Sequence, residues 1–452
     1  GCAGILKSFV NTSNLTDYSM SGTITVVANI IGINIDMDIP VDARVKLVDG
    51  KPVTYITLDV PVIGSNVPGF TGINVNNDVP YEFGDTSVDS RRLEIMYLRH
   101  LKLSNFKNIE EREFDFSQIN CFVGNNGVGK TNILDAIYYL SFCKSFFNHN
   151  DNYSIRNGSD FFAIHGDYSI NGVEEKISCT LKAQGKKQIK HSGKAYTKHS
   201  EHIGKIPAVM IAPTSHSLIT GASEVRRKFI DIIISQQDKV YLQSLIRYNK
   251  AVEQRNKVLK NYQIFRTFDE IGMQIWEEQI AVLGNEIKEK RKQFFEQIEQ
   301  PLMDFYSYIS QNKEDIRVEY ITYEGDLLTL LRENRESEKA IGYTKTGIHK
   351  DDLAFYLEQM PIRSHASQGQ QKTFLLALKL AQFDYLQKNL GVKPILLLDD
   401  IFDKFDFERV SRILTLLEDR GFGQVFITDT HLERVEKIIG EGLKEKTKIF
   451  KL

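Results

Sequence analysis

The chain has 452 residues, with 57 basic and 59 acidic side chains and 42% apolar residues. That length holds roughly two to four domains and at least one full core, and the near-neutral balance excludes a histone-like polycation, so contacts with nucleic acid must come from local patches. No apolar run reaches the roughly 18 residues that span a membrane. Cys2, Cys121, Cys143 and Cys179 are too dispersed for a zinc motif or a disulfide framework, which fits a reducing cytosol.

The first 95 residues are the acidic part, with 6 Lys+Arg against 11 Asp+Glu; the remainder carries 51 against 48. The Gly1-Cys2 start fits a lipoprotein-signal remnant or, equally, a truncated or wrongly joined reading frame. Residues 20–64 alternate apolar and polar and predict a small antiparallel sheet. Residues 64–92 are rich in Gly, Asn, Pro and Asp and read as linker. At Met96 the texture changes. YLRHLKLSNF and EREFDF read as strands, INCFV as a short apolar strand, and TNILDAIYYLSF as a helix. Residues 161–200 read as lysine-bearing hairpins.

From about Glu224 to Tyr308 the period is helical. Leu245, Val252 and Leu259 fall at sevens, and Trp276, Ile280, Leu283, Ile287, Phe294 and Ile298 at threes, fours and sevens. Together they predict an antiparallel helical hairpin of a few heptads. After about residue 340 α/β texture returns and runs to the end. The divisions expected are 1–95 (β-rich extension and linker), 96–212 (first half of a head), 213–339 (helical arm) and 340–452 (second half of the head).

GNNGVGKT satisfies GxxxxGK[ST] between a strand and a helix. Such a loop, here Gly124, Asn125, Asn126, Gly127, Val128, Gly129, Lys130 and Thr131, turns backbone N–H groups toward phosphate oxygens at a helix N-terminus. Lys130 would neutralise the β- and γ-phosphates, and the Thr131 hydroxyl would meet Mg²⁺. PILLLDDIFDKFD is a buried-strand run ending in two acids. Asp399 suits a direct or water-mediated Mg²⁺ contact, and Asp400 is placed to orient or deprotonate an attacking water. Either motif alone has a bland reading, a glycine turn or an acidic helix cap; their order makes ATP and Mg²⁺ the expected cofactors. About 270 residues separate them, so the helical segment is an insertion between two halves of one head.

A third anion-binding pattern, SHASQGQQKT, sets Ser367, Gly369, Gln370 and Gln371 before a long apolar helix. A head with one phosphate loop does not need a second for its own nucleotide, so these residues are expected to act in trans, with Ser367 capping ATP held by a second copy. The bland alternative is an N-capped helix. Lys182, Lys186, Lys187, Lys190, Lys194 and Lys198 crowd one stretch and suggest phosphate-backbone contact, against the alternative of a charged edge that blocks aggregation.

In this order the motifs resemble the ABC-type ATPase heads of the SMC class and, within it, the RecF family, from MYLRHLKLSNFKN at Met96 to the C-terminus. GASEVRRKFID, YNKAVEQRNKVLK, GIHKDDL and SQGQQKT carry the resemblance. Thr214-Ser215 after Pro213, Lys372 after the signature, and Phe405 in the loop Asp403-Lys404-Phe405-Asp406 depart from the family's usual residues. His431 in ITDTHL stands where other ABC heads place a switch histidine, although a lone His after a strand is more often structural. The resemblance implies an α/β fold: an ABC-type P-loop ATPase head with an inserted helical arm, preceded by a β-rich extension. It implies a cytoplasmic, weak and DNA-dependent ATPase that forms an ATP-dependent homodimer, clamps duplex or gapped DNA, and works with RecO and RecR to load RecA. Lys186, Lys187, Lys190, Arg226, Arg227 and Arg255 are the candidate DNA contacts. Competing readings are a transporter subunit, which needs no such arm; an ATPase–nuclease, which needs a second acidic domain; and a non-hydrolysing ATP-binding scaffold.

Overall fold

A computed structural model describes residues 96–311, 314–400 and 422–452, positions 409, 411–413, 415 and 416, and the backbone of four strands ahead of Met96. The loop at 403–406 lies outside the described residues. The chain divides into Gly1–Ser90 and Arg91–Leu452. In the first unit, strands Asp17–Ile30, Ile33–Val48, Lys51–Leu58 and Val79–Glu82 form an antiparallel sheet in chain order. The last of these falls in the stretch read as linker; its VPYE is too short and Pro-interrupted to show a period.

The second unit is built on a parallel sheet with spatial order Ala208–Ile211, Ile395–Leu398, Val425–Asp429, Ile119–Val123, Thr447–Lys451. The first four strands are buried along their whole length, as parallel strands covered on both faces must be. Alternate side chains part into two cores. Ile119, Cys121 and Val123 pack on the side of the helical arm. Phe122, Leu397 and Phe426 pack with the helix Lys130–Phe142.

That helix also lies against an antiparallel sheet of six strands. Its order is Lys194–Ala195, Gln188–His191, Val173–Lys182, Phe161–Ile170, Met96–Phe106, Ile109–Asp115. The tips Asn171-Gly172 and Ser192-Gly193 have positive φ at both residues, the conformation that a two-residue hairpin turn demands. Met96–Phe106 and Ile109–Asp115 are the expected strands, and the lysine-rich segment is the expected hairpin region.

The arm is a pair of antiparallel helices, Lys239–Phe265 and Glu270–Ser310, each N-capped by an aspartate, Asp238 and Asp269. Val252, Leu259, Ile280, Leu283, Ile287, Phe294 and Ile298 are buried, as their spacing predicts. The strand Ile316–Ile321, unassigned in the sequence, returns the chain to a small sheet with Asp352–Leu357 and Met360–Pro361. No helix among the described residues is long and apolar enough to cross a membrane.

The helix Gln368–Leu390 is buried along most of its length and includes one misfit. Lys379 lies buried with its ammonium 4.8 Å from the centre of the Phe229 ring. Desolvation pushes its pKa down from 10.5 to about 7. Between those values the unfolded chain holds a proton that the folded chain has released, so stability rises with pH through that window; below about pH 7 the full cost of the buried cation is present. Lys379→Met is therefore expected to raise the melting temperature at pH 6, with the gain over the parent shrinking steadily from pH 7 to 10. Thermal melts of both proteins across that range check this; a gain that does not change with pH would contradict it.

Candidate functional site

The C-terminal ends of parallel strands are where open α/β sheets place ligands. Here the strand Ile119–Val123 runs into Gly124, Ile395–Leu398 into Asp399 and Asp400, and Val425–Asp429 lies between them. Residues 268 apart in sequence thereby meet: the Thr131 hydroxyl donates to both carboxylate oxygens of Asp399, at 2.9 and 3.1 Å. Thr428, on the intervening strand, donates to Asp399 Oδ1 at 2.9 Å and accepts the Asp400 backbone N–H at 2.8 Å. Burial raises the Asp399 pKa, against the hydrogen bonds from Thr131 and Thr428.

The glycine loop has the geometry its sequence demands. Gly127 and Gly129 have φ of 86° and 106°. A Cβ on Gly129 would come within 2.9 Å of Asn108 Oδ1, so only glycine fits there without a shift. Lys130 folds over the loop and donates to the carbonyls of Gly124 and Asn125 at 2.7 and 2.9 Å. Asn126, Gly127, Gly129, Lys130, Thr131, Asn132, Asp400 and Thr428 line a cleft of about 220 Å³. Asp400 enters it in the left-handed conformation, at φ 50°, which aspartate tolerates better than most residues. Val128 stands at the exposed crest of the loop.

Among the described residues no cluster of three or more His, Cys, Asp or Glu side chains could hold a metal. The Thr131 hydroxyl and Asp399 carboxylate offer two hard oxygens instead. That donor set fits Mg²⁺, which keeps water and takes its remaining ligands from nucleotide phosphates.

Ser367 N-caps the helix Gln368–Leu390. Its hydroxyl accepts the Gln370 N–H at 3.2 Å, and the Gln370 side chain accepts the Ser367 N–H at 2.7 Å. Gln370 also donates to Glu314, and Gln371 to the carbonyls of Ile362 and Ala366. A Cβ on Gly369 would sit 3.1 Å from the Arg409 guanidinium. None of these residues lines the phosphate cleft of its own chain. His431 is exposed, caps the last helix, and lies outside the cleft lining; its backbone N–H donates to Asp429.

Three residues of the site escaped the sequence reading: Asn108, Asn132 and Thr428. Asn108 donates to the Gly127 carbonyl at 2.9 Å and accepts from Asn132 at 2.7 Å, so it latches the loop. Its contacts are long-range, and only the tight turn in SNFKN hints at it.

The arginines expected as DNA contacts are engaged inside the fold, Arg226 and Arg255 as buried side chains. Arg255 is fully buried between Glu277 and Glu338, at 3.0 and 2.6 Å, and also donates to Thr344 and the Leu331 carbonyl. Arg226 is buried and bidentate to Asp352. Arg227 is half-buried and donates to Ser223 and the Asp351 carbonyl. The motifs that suggested them are structural joints. Of the lysines, Lys186 is exposed and Lys190 half-buried, whereas Lys187 is tied to Asp151 at 2.6 Å.

The chain matches the RecF/RecN/SMC N terminal domain over residues 97–448. It is 48% identical over 360 residues to the DNA replication and repair protein RecF of Flavobacterium johnsoniae, covering 79% of this chain and all of that protein. It is 47% identical over 360 residues to the protein of the same name from Phocaeicola vulgatus, covering 78% of this chain and 96% of that one. A solved structure described as the recombination mediator protein RecF-ATPrS in the RecFOR pathway superposes with a TM-score of 0.70 at 29% identity, over 79% of this chain and 96% of that one.

The buried cluster around Arg255 makes a testable demand. Arg255→Ala leaves the buried Glu338 without its cation, whereas Glu277 keeps Arg335; breaking one buried pair in this way typically costs about 3–5 kcal/mol. The expected outcome is a stability loss of that size in denaturant, with the affinity of the surviving folded protein for duplex DNA close to parental. A specific loss of DNA affinity at unchanged stability would return Arg255 to the DNA path.

Proposed function

The chain belongs to the RecF branch of the RecF/RecN/SMC family, and from that premise we propose that it is an ATP-gated DNA clamp of recombinational repair. The observation that carries this reading is the hydrogen bond from Thr131 to Asp399, which joins the phosphate loop to the acidic strand end. ATP with Mg²⁺ binds there, Lys130 moving from the loop carbonyls to the β- and γ-phosphates. Thr131 and Asp399 would hold the metal, which would offset phosphate charge. Asp400, at the cleft wall, orients the attacking water and accepts its proton.

Among the described residues none of the signature stretch caps the cleft of its own chain. Ser367, with the N–H groups of Gly369, Gln370 and Gln371, supplies a cap to the ATP of a second copy, so nucleotide and dimer form together. Turnover is slow and answers to DNA, because two heads must close before it begins. Duplex or gapped DNA is gripped between the heads and arms, and RecR and RecO join in the loading of RecA. Support for this finer reading comes from the solved relative, which is described as a recombination mediator in the RecFOR pathway.

Mass measurement with ATP, with ADP and without nucleotide, each with and without duplex DNA, tests the reading. A dimer only with ATP, stabilised further by DNA, is the expected result; a monomer under all conditions would contradict it. Ser367→Arg is expected to bind ATP with parental affinity yet stay monomeric. If the serine only caps its helix, the variant instead loses about 1 kcal/mol of stability and dimerises normally.

The hairpin gives a second test. Each lysine that neutralises a duplex phosphate adds roughly 0.9 to the slope of log affinity against log salt. Replacing Lys186, Lys190 and Lys194 together with alanine is expected to weaken duplex binding and flatten that slope, leaving ATP affinity in the absence of DNA unchanged. An unchanged salt slope would make the hairpin a protected edge.

A further inference from the structure

The strand Ile395–Leu398 is paired on both sides, and its two ladders end differently. Toward Ala208–Ile211 the backbone pairing runs on past the strand end, with the Asp399 N–H donating to the Ile211 carbonyl at 2.8 Å. Toward Val425–Asp429 it begins with the Leu396 N–H on the Gln424 carbonyl at 3.0 Å. Rungs of a parallel ladder are evenly spaced, so the same offset would carry the Asp400 N–H onto the Thr428 carbonyl. That N–H goes instead to the Thr428 hydroxyl, at 2.8 Å. A side chain here takes over from the backbone, and at this point Asp400 turns into the left-handed conformation, at φ 50°.

We propose that Thr428 is a positioning residue for hydrolysis: its hydroxyl sets the Asp400 backbone against Asp399, so that the acid on the water side of the cleft keeps its place relative to the acid on the metal side. The proposal rests on the reading of the phosphate cleft as an ATPase site. Three observations carry it. First, both roles of the hydroxyl are dictated. A backbone N–H only donates and an ionised carboxylate only accepts, so the Thr428 oxygen takes the Asp400 N–H and gives its single hydrogen to Asp399 Oδ1, at 2.9 Å. Donation to an acid makes the same oxygen a better acceptor, so the two bonds strengthen each other. Second, Thr428 lies at the floor of the cleft with no surface exposed to water, so solvent does not stand in for the hydroxyl. Third, a left-handed residue other than glycine is uncommon and persists where its surroundings over-determine it. Thr428 and Ile211 supply that here, holding the consecutive N–H groups of Asp400 and Asp399 from opposite neighbouring strands.

Thr131 reaches Asp399 from the phosphate loop at 2.9 and 3.1 Å. Thr131, Asp399, Thr428 and Asp400 therefore form one chain of hydrogen bonds that runs from the phosphate loop to the wall of the cleft. Nucleotide with Mg²⁺ would draw the Thr131 hydroxyl away from Asp399, whereas the Thr428 bond approaches Asp399 from the sheet and stays. Thr428 thus acts through the two acids. Its loss is expected to disturb their mutual placement and to leave the phosphate loop, which Asn108 latches from another strand, as it is.

The test pairs Thr428→Val, which keeps the shape and removes both hydrogen bonds, with Thr428→Ser, which keeps the hydroxyl. Turnover is measured on the full chain with ATP, Mg²⁺ and duplex DNA, and ATP affinity by calorimetry. Thr428→Val is expected to lose about tenfold to a hundredfold in kcat, the scale for a partner that orients a metal-binding acid, with KM and ATP affinity near parental. Thr428→Ser is expected to turn over at the parental rate. Unchanged kcat in Thr428→Val, or a matched loss of ATP affinity and kcat, overturns the positioning role while leaving the ATP site standing. Should Thr428→Val fail to fold, Thr428→Ser decides alone, and a fall of its kcat to roughly a tenth of parental or lower overturns the role of the hydroxyl. A parental protein that binds ATP without hydrolysing it overturns the ATPase reading and this proposal with it.

Discussion

The candidate site turns on one buried carboxylate. Asp399 is only 3% exposed, and an unpaired carboxylate so placed is costly. Hydrogen bonds from Thr131 and Thr428 satisfy it, and these two partners come from opposite sides of the long insertion. They converge because the strand register is fixed: Leu398 lies beside Ile427, and Asp429 beside Val123. A slip of one residue would turn Asp399 to the other face of the sheet and Leu398 toward the cleft, exchanging a core side chain for a charge. The requirement to satisfy one acid and the requirement to bury an apolar strand thus select the same pairing. The phosphate loop inherits its position from that choice.

A second set of buried charges joins the arm to the head. Arg291, on the long arm helix, donates to Asp231, Asp351 and the Ile348 carbonyl. Arg226, one helix away, grips Asp352, and Arg227 takes the Asp351 carbonyl. Asp351 and Asp352 open the strand that leads through Ile362–His365 into the Ser367 cap. The long arm helix, through Arg291, and the helix Ser223–Gln237, through the Arg226 fork and Arg227, are therefore both fastened at the start of the same short strand, and such charged contacts fix orientation more tightly than apolar contact does. This is the physical content of the basic and acidic motifs that sequence alone assigned partly to DNA.

Why the phosphate loop was legible and the arginine roles were not follows from the range of the physics involved. GNNGVGKT specifies its own backbone through glycine and its own charge through Lys130, so no distant residue is needed to read it. The arm was legible because heptad spacing is a property of one helix, and Ile280, Leu283 and Ile287 turn inward by periodicity alone. Arg255 looks basic and amphipathic in sequence; only the folded chain reveals Glu277 and Glu338 against it. Charged side chains are ambiguous in this way because partner and solvent satisfy them equally well. The same ambiguity hid Asn108, whose amide could face water anywhere and here latches Gly127. The all-apolar strands Ile395–Leu398 and Ile119–Val123 announced burial, but without alternation they could not say which residue faced which core.

Lys187 shows how far such a reassignment reaches. Sequence places it among the hairpin lysines; in the structure it pairs with Asp151, which also accepts the Tyr139 hydroxyl from the phosphate-loop helix. Asn152, next in chain, accepts the Gln184 N–H from the hairpin at 3.4 Å. The turn Asp151–Ser154 is thus braced by the hairpin on one side and by the phosphate-loop helix on the other, and this turn carries Tyr153. The Lys187 and Asp151 side chains are 12% and 30% exposed, so their attraction is less screened than that of a surface pair. A lysine held in this way is spent on bracing the turn and not free for other partners. Lys186 and Lys194, by contrast, stand exposed on the same hairpin region.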